Sequence, residues 1–460
     1  PYLASSPENR ISEFKSCVSL LKENGIKVII DFVPNHVSRD YKSLNSPTSF
    51  IDFGKNDDTN EAWSINNDFY YLPGQALTLP VENKDAFKEF PAKATGNNCF
   101  KPNPNAHDWY ETVKLNYGWN PFIPNSEVKQ TPVWEKMRTI LDFWLDMGVD
   151  GFRCDMADMI PIEFWYWVLD KINLKYNNPI FIAESYSKEN YSYLIDAGFT
   201  LLYDKVGAYN CIESALKLEH PYDLQRLNDH ISYTYGFQEQ MLRFSENHDE
   251  VRLAASQLAG NSLKGFAATA LLFGTGSESV MFYNGQEFGE EALEETGYSG
   301  SDGKSTIYDF AIVPSGFRWM NNELSSSEKE LHQKYALLMQ TLNSPTFTNG
   351  RFYSLGYCNA HLGDRLALIF IWLRYYKKNY ILGITNLSDV VLDESIYLNA
   401  HSLEVTRLVT GEYILTDLLQ NVGRTKLEVF NNPDEDPYGK ISAYIAPQTT
   451  VYYQIIPNVE

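Results

Sequence analysis

The sequence predicts an α/β protein whose first 345 residues build a barrel of parallel strands and helices. Short apolar runs alternate there with helical patterns, and the runs repeatedly end in Asp, Glu, His or Asn. After about residue 346 the apolar pattern changes to period two, which predicts a separate antiparallel β-sandwich. We therefore expect a (β/α)8 TIM-type barrel over residues 1–37 and 123–345, and a sandwich over 346–460.

The first predicted element is a helix that Ser6 caps, with Pro7 at its first position and Gly25 just past its end. Residues 26–33 follow as an apolar run, which is typical of a strand covered on both faces. From 38 to 122 the periodicity fails. Because an excursion of this length between two strands exceeds any ordinary loop, we expect an inserted domain B.

Regular alternation resumes with a helix from Pro132, and the strand after it ends in Asp155. Arg153 lies two residues before Asp155, so both side chains leave an extended strand on the same face. A guanidinium there holds the carboxylate ionised and oriented, as a nucleophile requires. An ordinary structural ion pair is the alternative interpretation.

Four more strands are predicted in the barrel and four in the sandwich. The barrel strands are 179–184, 199–203, 241–249 and 279–285, and the sandwich strands are 366–372, 380–386, 402–408 and 443–456.

Composition excludes some classes of partner. The net charge of −21 disfavours nucleic acid, whose phosphates need Lys and Arg. No run of about 18 apolar residues occurs, so we expect no membrane span.

The five cysteines lack the spacing of a metal site or disulfide framework. The location is left open, although these unpaired cysteines and the abrupt start of the chain favour the cytoplasm over a periplasmic or secreted location. The oligomeric state is left open.

The predicted strand ends supply His36, Asp155, Glu184, His248 and Asp249, with Arg153 and Asn35 beside them. Three carboxylates around one cleft suit cleavage or transfer at an acetal. One attacks the anomeric carbon, one protonates the leaving oxygen, and one stabilises the cationic sugar. Two histidines with several carboxylates could instead hold a divalent cation, although these residues lack the helical i, i+4 pairing of many such sites.

Four stretches carry a family resemblance, because each ends an apolar strand and they occur in a fixed order. They are Asp31-x-x-x-Asn35-His36, Gly151-x-Arg153-x-Asp155, Ala183-Glu184 and Phe244-x-x-Asn247-His248-Asp249. In their residues, their order and their positions at strand ends, these stretches resemble the signature regions of the α-amylase family, glycoside hydrolase family 13. The resemblance covers essentially the whole chain, although after about residue 342 it rests on architecture alone.

The resemblance implies a retaining hydrolase that cleaves α-1,4-glucosidic bonds of starch or maltooligosaccharides. Asp155 is then the nucleophile, Glu184 the general acid and base, and Asp249 the transition-state stabiliser. The implied substrate-binding residues are His36, Arg153, Asp158, Asn247 and His248. No cofactor is required for the chemistry. An α-glucan transglycosylase or isomerase of the same family is the alternative, and a non-catalytic carbohydrate-binding relative is a further one.

Three departures from the family pattern matter. Asp158 and Met159 stand where many members carry Lys-His, so we expect the subsites on the leaving-group side to differ, with the Asp158 carboxylate accepting a hydrogen bond from a sugar hydroxyl. A short region of the insert that often reads Leu-Pro-Asp-Leu-Asn in the family is Val113-Lys-Leu-Asn116-Tyr117 here, without its acidic residue. Asn35 often helps to bind a structural calcium in the family, which makes calcium possible here, with Asp57, Asp58 and Asp108 as candidate partners among which the sequence does not choose.

The chain also starts late for a complete barrel. Only 30 residues precede Asp31, which predicts a barrel without its first two strands.

Overall fold

The computed structural model of the protein describes residues 4–43, 50–81, 87–293, 302–305, 313–420, 423–431 and 436–457. The chain divides into two units, Pro1–Tyr203 and Asp204–Glu460. In chain order, the elements of the first unit are α1 (Arg10–Glu23), β1 (Ile29–Phe32), β2 (His36–Ser38), β3 (Tyr71–Leu72), β4 (Ala92–Lys93), β5 (Thr112–Lys114), α2 (Pro132–Asp146), β6 (Gly151–Cys154), α3 (Ile162–Lys175), β7 (Ile180–Ala183), α4 (Tyr191–Ala197) and β8 (Leu201–Tyr203).

Four of these strands form a parallel sheet in the order β1-β6-β7-β8. All four residues of β6 are buried, as expected for a parallel strand with neighbours on both sides. A Cβ on Gly151 would lie 1.9 Å from the carbonyl oxygen of Ile180, so only glycine allows β6 and β7 to approach this closely. Helix α2 buries side chains that recur at helical spacing, which fixes its apolar face. They are Val133, Trp134, Met137, Leu141 and Leu145.

The inserted segment contains two small antiparallel ribbons, β2 with β5 and β3 with β4. Several of its aromatic side chains are buried, Tyr70 and Tyr71 among them, and the buried ring of Tyr117 packs against Phe164 of α3. These rings are structural.

The beginning of the chain is less buried than its apolar pattern predicts. A 3-10 turn over Pro7–Asn9 precedes α1, and Ser6 makes no side-chain cap. Within α1 only Val18 is buried, whereas Ile11 is 42% exposed. The expectation that β1 is covered on both faces is wrong, since only Phe32 of this strand is buried. The physical reason is that, among the described strands, β1 lies at an edge of the sheet with β6 as its one neighbour, so its side chains have fewer packing partners.

The second unit continues the alternation and then changes to antiparallel strands. Its elements are α5 (Asn210–Lys217), α6 (Arg226–Thr234), β9 (Met241–Phe244), α7 (Ser262–Gly274), β10 (Ser279–Met281), α8 (Pro314–Met320), α9 (Ser326–Leu342), α10 (Pro345–Thr348), β11 (Arg351–Ser354), β12 (Ile369–Tyr376), β13 (Asn379–Asn386), β14 (Leu392–Leu398), α11 (Ala400–Thr406), β15 (Gly411–Asp417), β16 (Thr425–Phe430), β17 (Tyr438–Ile445) and β18 (Thr449–Pro457). Strands β9 and β10 pair in parallel, so the described residues hold four barrel-type strands in the first unit and two in the second.

The C-terminal strands form one antiparallel sheet in the order β11-β12-β13-β18-β15-β16-β17-β14. Its strands enclose an apolar core that includes Ile371, Ile384, Ile396 and Ile441, which is the predicted sandwich. The opposite face of β12, β13 and β18 packs on the buried helix α7, where Thr450 Oγ1 donates to the carbonyl oxygen of Ala267 at 2.7 Å.

Two predicted strands of the sandwich are wrong. Residues 402–408 lie largely in helix α11, because Asn399 caps it by accepting a hydrogen bond from the backbone N–H of Ser402. Residues 443–456 belong to two strands, β17 and β18, which a turn over 446–448 separates. Gln448 there has a φ of 54°, which an extended strand cannot contain.

The fold class is the predicted one: strands and helices of a (β/α) barrel, an inserted segment and a C-terminal antiparallel sandwich. Among the described helices, none combines the length and the apolar character needed to cross a membrane.

Candidate active site

The carboxyl ends of β1, β6 and β7 lie side by side along one end of the sheet and bring polar residues together there. The backbone N–H of Asp155 donates to the carbonyl oxygen of Phe32 at 2.9 Å, and that of Glu184 donates to the carbonyl oxygen of Cys154 at 3.1 Å. Asp155 and Glu184 are therefore neighbours across adjacent strands. In parallel α/β folds, ligands bind at the carboxyl ends of the strands.

The guanidinium of Arg153 lies among three carboxylates. Its Nη1 donates to Asp155 Oδ1 at 2.8 Å and to Asp31 Oδ1 at 3.1 Å. Its Nη2 lies 2.8 Å from Glu184 Oε1. Its Nε donates to the hydroxyl oxygen of Tyr203 at 3.3 Å. One cation thus orients both carboxylates that the sequence assigns to bond cleavage.

Glu184 and Asp155 lie in different environments. Glu184 is 2% exposed, and its oxygens accept hydrogen bonds from the Met156 N–H at 2.7 Å and the Tyr186 hydroxyl at 2.8 Å. Burial raises the pKa of Glu184 to about 7, although Arg153 and these hydrogen bonds lower it. The Asp155 side chain is 20% exposed. Two carboxyls in contrasting surroundings can divide the roles of acid and nucleophile.

Replacing Tyr186 by Phe is expected to move the alkaline limb of the pH–rate profile to higher pH. The Tyr186 hydroxyl donates to the ionised form of Glu184 and lowers its pKa, so its loss favours the protonated form. We expect kcat/KM near neutral pH to change by at most about 100-fold, the worth of one hydrogen bond to a charged group. The kcat/KM profile checks this, and a limb that moves to lower pH contradicts it.

His36 and Asn35 lie at the start of the insert. Burial lowers the pKa of His36, against the opposing effect of Asp155, so the imidazole is neutral near pH 7. Asn35 Nδ2 lies 3.2 Å from His36 Nδ1, which assigns the ring proton to Nε2. The same Nδ2 donates to the carbonyl oxygen of Gly96 at 3.0 Å, and Asn35 Oδ1 accepts a hydrogen bond from the ammonium of Lys114.

Asp158 is engaged by the segment that follows β7. Its Oδ1 accepts hydrogen bonds from Ser185 Oγ at 2.9 Å and Asn190 Nδ2 at 3.0 Å. Its Oδ2 accepts from the backbone N–H of Tyr186 at 2.6 Å and of Ser187 at 3.1 Å. A contact between Asp158 and a sugar hydroxyl stays a prediction. These bonds give the carboxylate a second role, that of an anchor for the segment that carries Tyr186.

Replacing Asp158 by Ala is expected to lower the melting temperature by about 5 °C or more, because several buried or half-buried donors lose their acceptor. As an anchor, Asp158 should affect turnover of maltoheptaose and of an activated aryl glycoside equally. As an acceptor-site ligand alone, it would change the product pattern and leave the melting temperature unchanged. Asp170→Ala, on the exposed face of α3, is the matched control.

The remaining predicted site residues lie in the second unit, just after β9. Asn247 is 3% exposed, and its Oδ1 accepts hydrogen bonds from the backbone N–H of Asp249 at 2.9 Å and of Glu250 at 3.0 Å. Asn247 therefore shapes the turn that presents its neighbours. His248 Nε2 lies 3.1 Å from Asp249 Oδ2. The convergence of Asp249 with Asp155 and Glu184 stays a prediction.

A buried ion pair supports this turn. Glu246 Oε1 accepts a hydrogen bond from Arg252 Nη1 at 2.8 Å, and Glu246 Oε2 accepts one from the backbone N–H of Leu253 at 2.6 Å. The Arg252 guanidinium lies 3.9 Å from the ring centroid of Tyr283. Because the pair is buried, losing either partner would leave an uncompensated charge.

Sequence reasoning missed several contacting residues. Tyr203 ends a predicted barrel strand, so the rule applied to the other strand ends could have found it. Tyr186 follows Glu184 by two residues, but nothing in the sequence shows that its hydroxyl turns back to the carboxyl. Glu246 falls on an unspecified position of the Phe244–Asp249 motif, and Lys114 falls in the insert, where the family pattern assigns it no role.

The three carboxylates proposed as calcium ligands beside Asn35 accept hydrogen bonds from residues close to them in the insert. Asp57 accepts hydrogen bonds from the backbone of Asp68 and Phe69, Asp108 accepts them from Asn97 and Asn105, and Asp58 accepts them from Asn60. Within the ranges that the structure describes, no group of three or more His, Cys, Asp or Glu residues is arranged to hold a metal ion.

Comparison with curated proteins finds relatives that match this chain over different lengths. The 4-alpha-glucanotransferase of Thermotoga maritima is 23% identical over 424 residues, which is 88% of this chain and 81% of that protein. The alpha-1,4-glucan:maltose-1-phosphate maltosyltransferase of Picrophilus torridus is 32% identical over 81 residues. That match covers 17% of this chain and 13% of the maltosyltransferase, so the chain spans a small part of that relative.

Among solved structures, the Anoxybacillus alpha-amylase is similar with a TM-score of 0.61. It is 16% identical, and the match covers 98% of this chain and 80% of that chain, which shows the shared fold. The family model described as the catalytic domain of alpha amylase matches residues 10–334. This range contains all four strand-end motifs and the three carboxylates that surround Arg153. The chain belongs to the alpha-amylase family.

Proposed function

We propose that the chain is a retaining α-glucan hydrolase that cleaves α-1,4-glucosidic bonds of starch or maltooligosaccharides. Asp155 is the nucleophile, Glu184 is the general acid and then the base, and Asp249 stabilises the transition state. His36, Arg153 and His248 bind or orient groups around the reacting sugar. The names of the relatives, which transfer or cleave glucans, support an α-glucan substrate.

One observation carries the proposal: Arg153 contacts Asp155 and Glu184 at 2.8 Å each, while burial raises the pKa of Glu184 to about 7. Near neutral pH a substantial fraction of Glu184 therefore carries a proton, and Arg153 holds Asp155 in place by a direct contact. Carboxyls held by one guanidinium suit the separation of about 5–5.5 Å that retaining enzymes use.

In the first step, an oxygen of Asp155 attacks the anomeric carbon while Glu184 gives its proton to the leaving glycosidic oxygen. The products are a β-linked glycosyl ester on Asp155 and a shortened glucan. In the second step, Glu184 takes a proton from water, and the water oxygen displaces Asp155. Two inversions return the sugar to the α-configuration.

Glucan transfer is the second candidate, and the similarity to a 4-alpha-glucanotransferase over 88% of this chain favours it. The two functions share the first step and differ in whether water or a sugar hydroxyl attacks the ester. Tyr186 is 38% exposed and contacts Glu184, which puts it within reach of an incoming sugar.

Product analysis with maltoheptaose, with and without labelled glucose as an acceptor, separates the two. Hydrolysis predicts products shorter than maltoheptaose, with little label incorporated. Products longer than maltoheptaose, or label in most products, would establish transfer as the main reaction. An absence of all products, with the fold intact, would contradict both.

A further inference from the structure

The ammonium of Lys114 lies where the inserted segment meets the ends of β1 and β6. Lys114 is the last residue of β5, whose pairing with β2 sets it opposite His36. Its Nζ donates to Asn35 Oδ1 and, at 3.1 Å, to the carbonyl oxygen of Met159. Lys114 is 5% exposed and Asn35 is fully buried, so these contacts are shielded from water.

The acceptors of Lys114 are a side-chain amide oxygen and a peptide oxygen. Such neutral oxygens are also ligands of calcium, which needs six to eight oxygens and commonly includes carboxylates. Here an ammonium already uses them, and both of these contacts are to neutral oxygens. A divalent cation at Asn35 Oδ1 would be repelled by the ammonium, so these residues do not fit calcium.

We propose that Lys114 serves as an internal cation at this junction, in place of a metal ion at Asn35. It joins three segments: the end of β5, Asn35 after β1, and Met159 after β6. Asn35 contacts His36, and the segment that ends at Met159 begins at Met156, whose N–H donates to Glu184. Lys114 is thus a positioning residue that holds two parts of the candidate active site in register.

The first test uses the wild-type chain, so it does not depend on a variant that folds. We expect the same melting temperature after treatment with EDTA and after addition of calcium chloride. A rise in melting temperature with calcium that Asn35→Ala abolishes would overturn the proposal.

The second test asks whether a small cation can replace the missing group. Lys114→Ala should lower the melting temperature by about 5 °C or more, whereas Lys129→Ala, an exposed lysine of the same unit, should leave it unchanged. A cavity of about 180 Å³ adjoins Lys114 and Met159, which gives an added cation access. Propylammonium chloride should restore at least half of the loss, and sodium chloride at equal ionic strength should not.

Burial lowers the pKa of Lys114 to about 7, so the second test is run near pH 6, where the lysine is charged. Restoration of the melting temperature of Lys114→Ala by propylammonium supports the internal cation. Restoration by calcium but not by propylammonium would overturn it, and so would a melting temperature equal to that of the wild type.

Discussion

Replacing Asp155 by Asn is expected to lower kcat on maltoheptaose by at least about 10⁴-fold. An amide cannot form the glycosyl ester, and it loses the charge that pairs with Arg153 at 2.8 Å. The fold should persist, because Arg153 keeps its contacts with Asp31 and Glu184. Turnover assays on protein of verified melting temperature measure the loss.

The matched control for this variant is Asp170→Asn, which makes the same chemical change on the exposed face of α3. It should retain full activity. If Asp155→Asn kept more than about a tenth of wild-type turnover, Asp155 could not be the nucleophile.

Replacing Glu184 by Gln is expected to lower kcat on maltoheptaose by about 10²- to 10⁴-fold, the usual contribution of general acid catalysis. The loss should be much smaller for the first step on an aryl glycoside whose phenol leaves without a proton. Glutamine retains the shape of Glu184 but has no proton to give. Glu163→Gln, on the exposed side of α3, is the control.

The same variant tests the pH dependence. Burial raises the pKa of Glu184 to about 7, and the acid must carry its proton to act. Wild-type kcat/KM should therefore fall as pH rises through about 7, because the ionised form cannot protonate the leaving oxygen. Glu184→Gln should lose this limb. If the limb persists unchanged in Glu184→Gln, another group carries the proton.

The strand ends of the first unit were predictable from sequence, because short apolar runs there stop at carboxylates. Parallel strands bring their carboxyl ends to one edge, so Asp155 and Glu184 could be placed together without knowing any side-chain contact. The environment of Glu184 could not be predicted in this way. Its burial depends on how segments far apart in sequence close around it.

The local sequence pattern gave a wrong prediction where the same residues fit both the period of a strand and that of a helix. Residues 402–408 alternate as a strand does, yet Leu403 and Thr406 are also spaced as on one face of a helix, and both are buried in α11. The Asn399 cap decides between them. Residues 443–456 read as one long strand until the turn at Pro447 and Gln448 is recognised as a break.

The role of Lys114 required three-dimensional information. Its contact with Met159 joins residues 45 positions apart, and its contact with Asn35 joins residues 79 apart. A lysine beside an apolar strand residue predicts a solvated surface position, since lysine is rarely buried. Only the pairing of β2 with β5 brings it to Asn35.

The central claim is that Asp155 forms a covalent bond with the substrate. Incubation with 5-fluoro-α-glucosyl fluoride, which slows release of the glycosyl group, should trap this ester. Intact mass spectrometry should show one glycosyl group per chain, and peptide mapping should locate it on Asp155. An adduct on a different residue would contradict the account. So would turnover of the fluoride that gives a β-configured product and leaves no adduct on the protein.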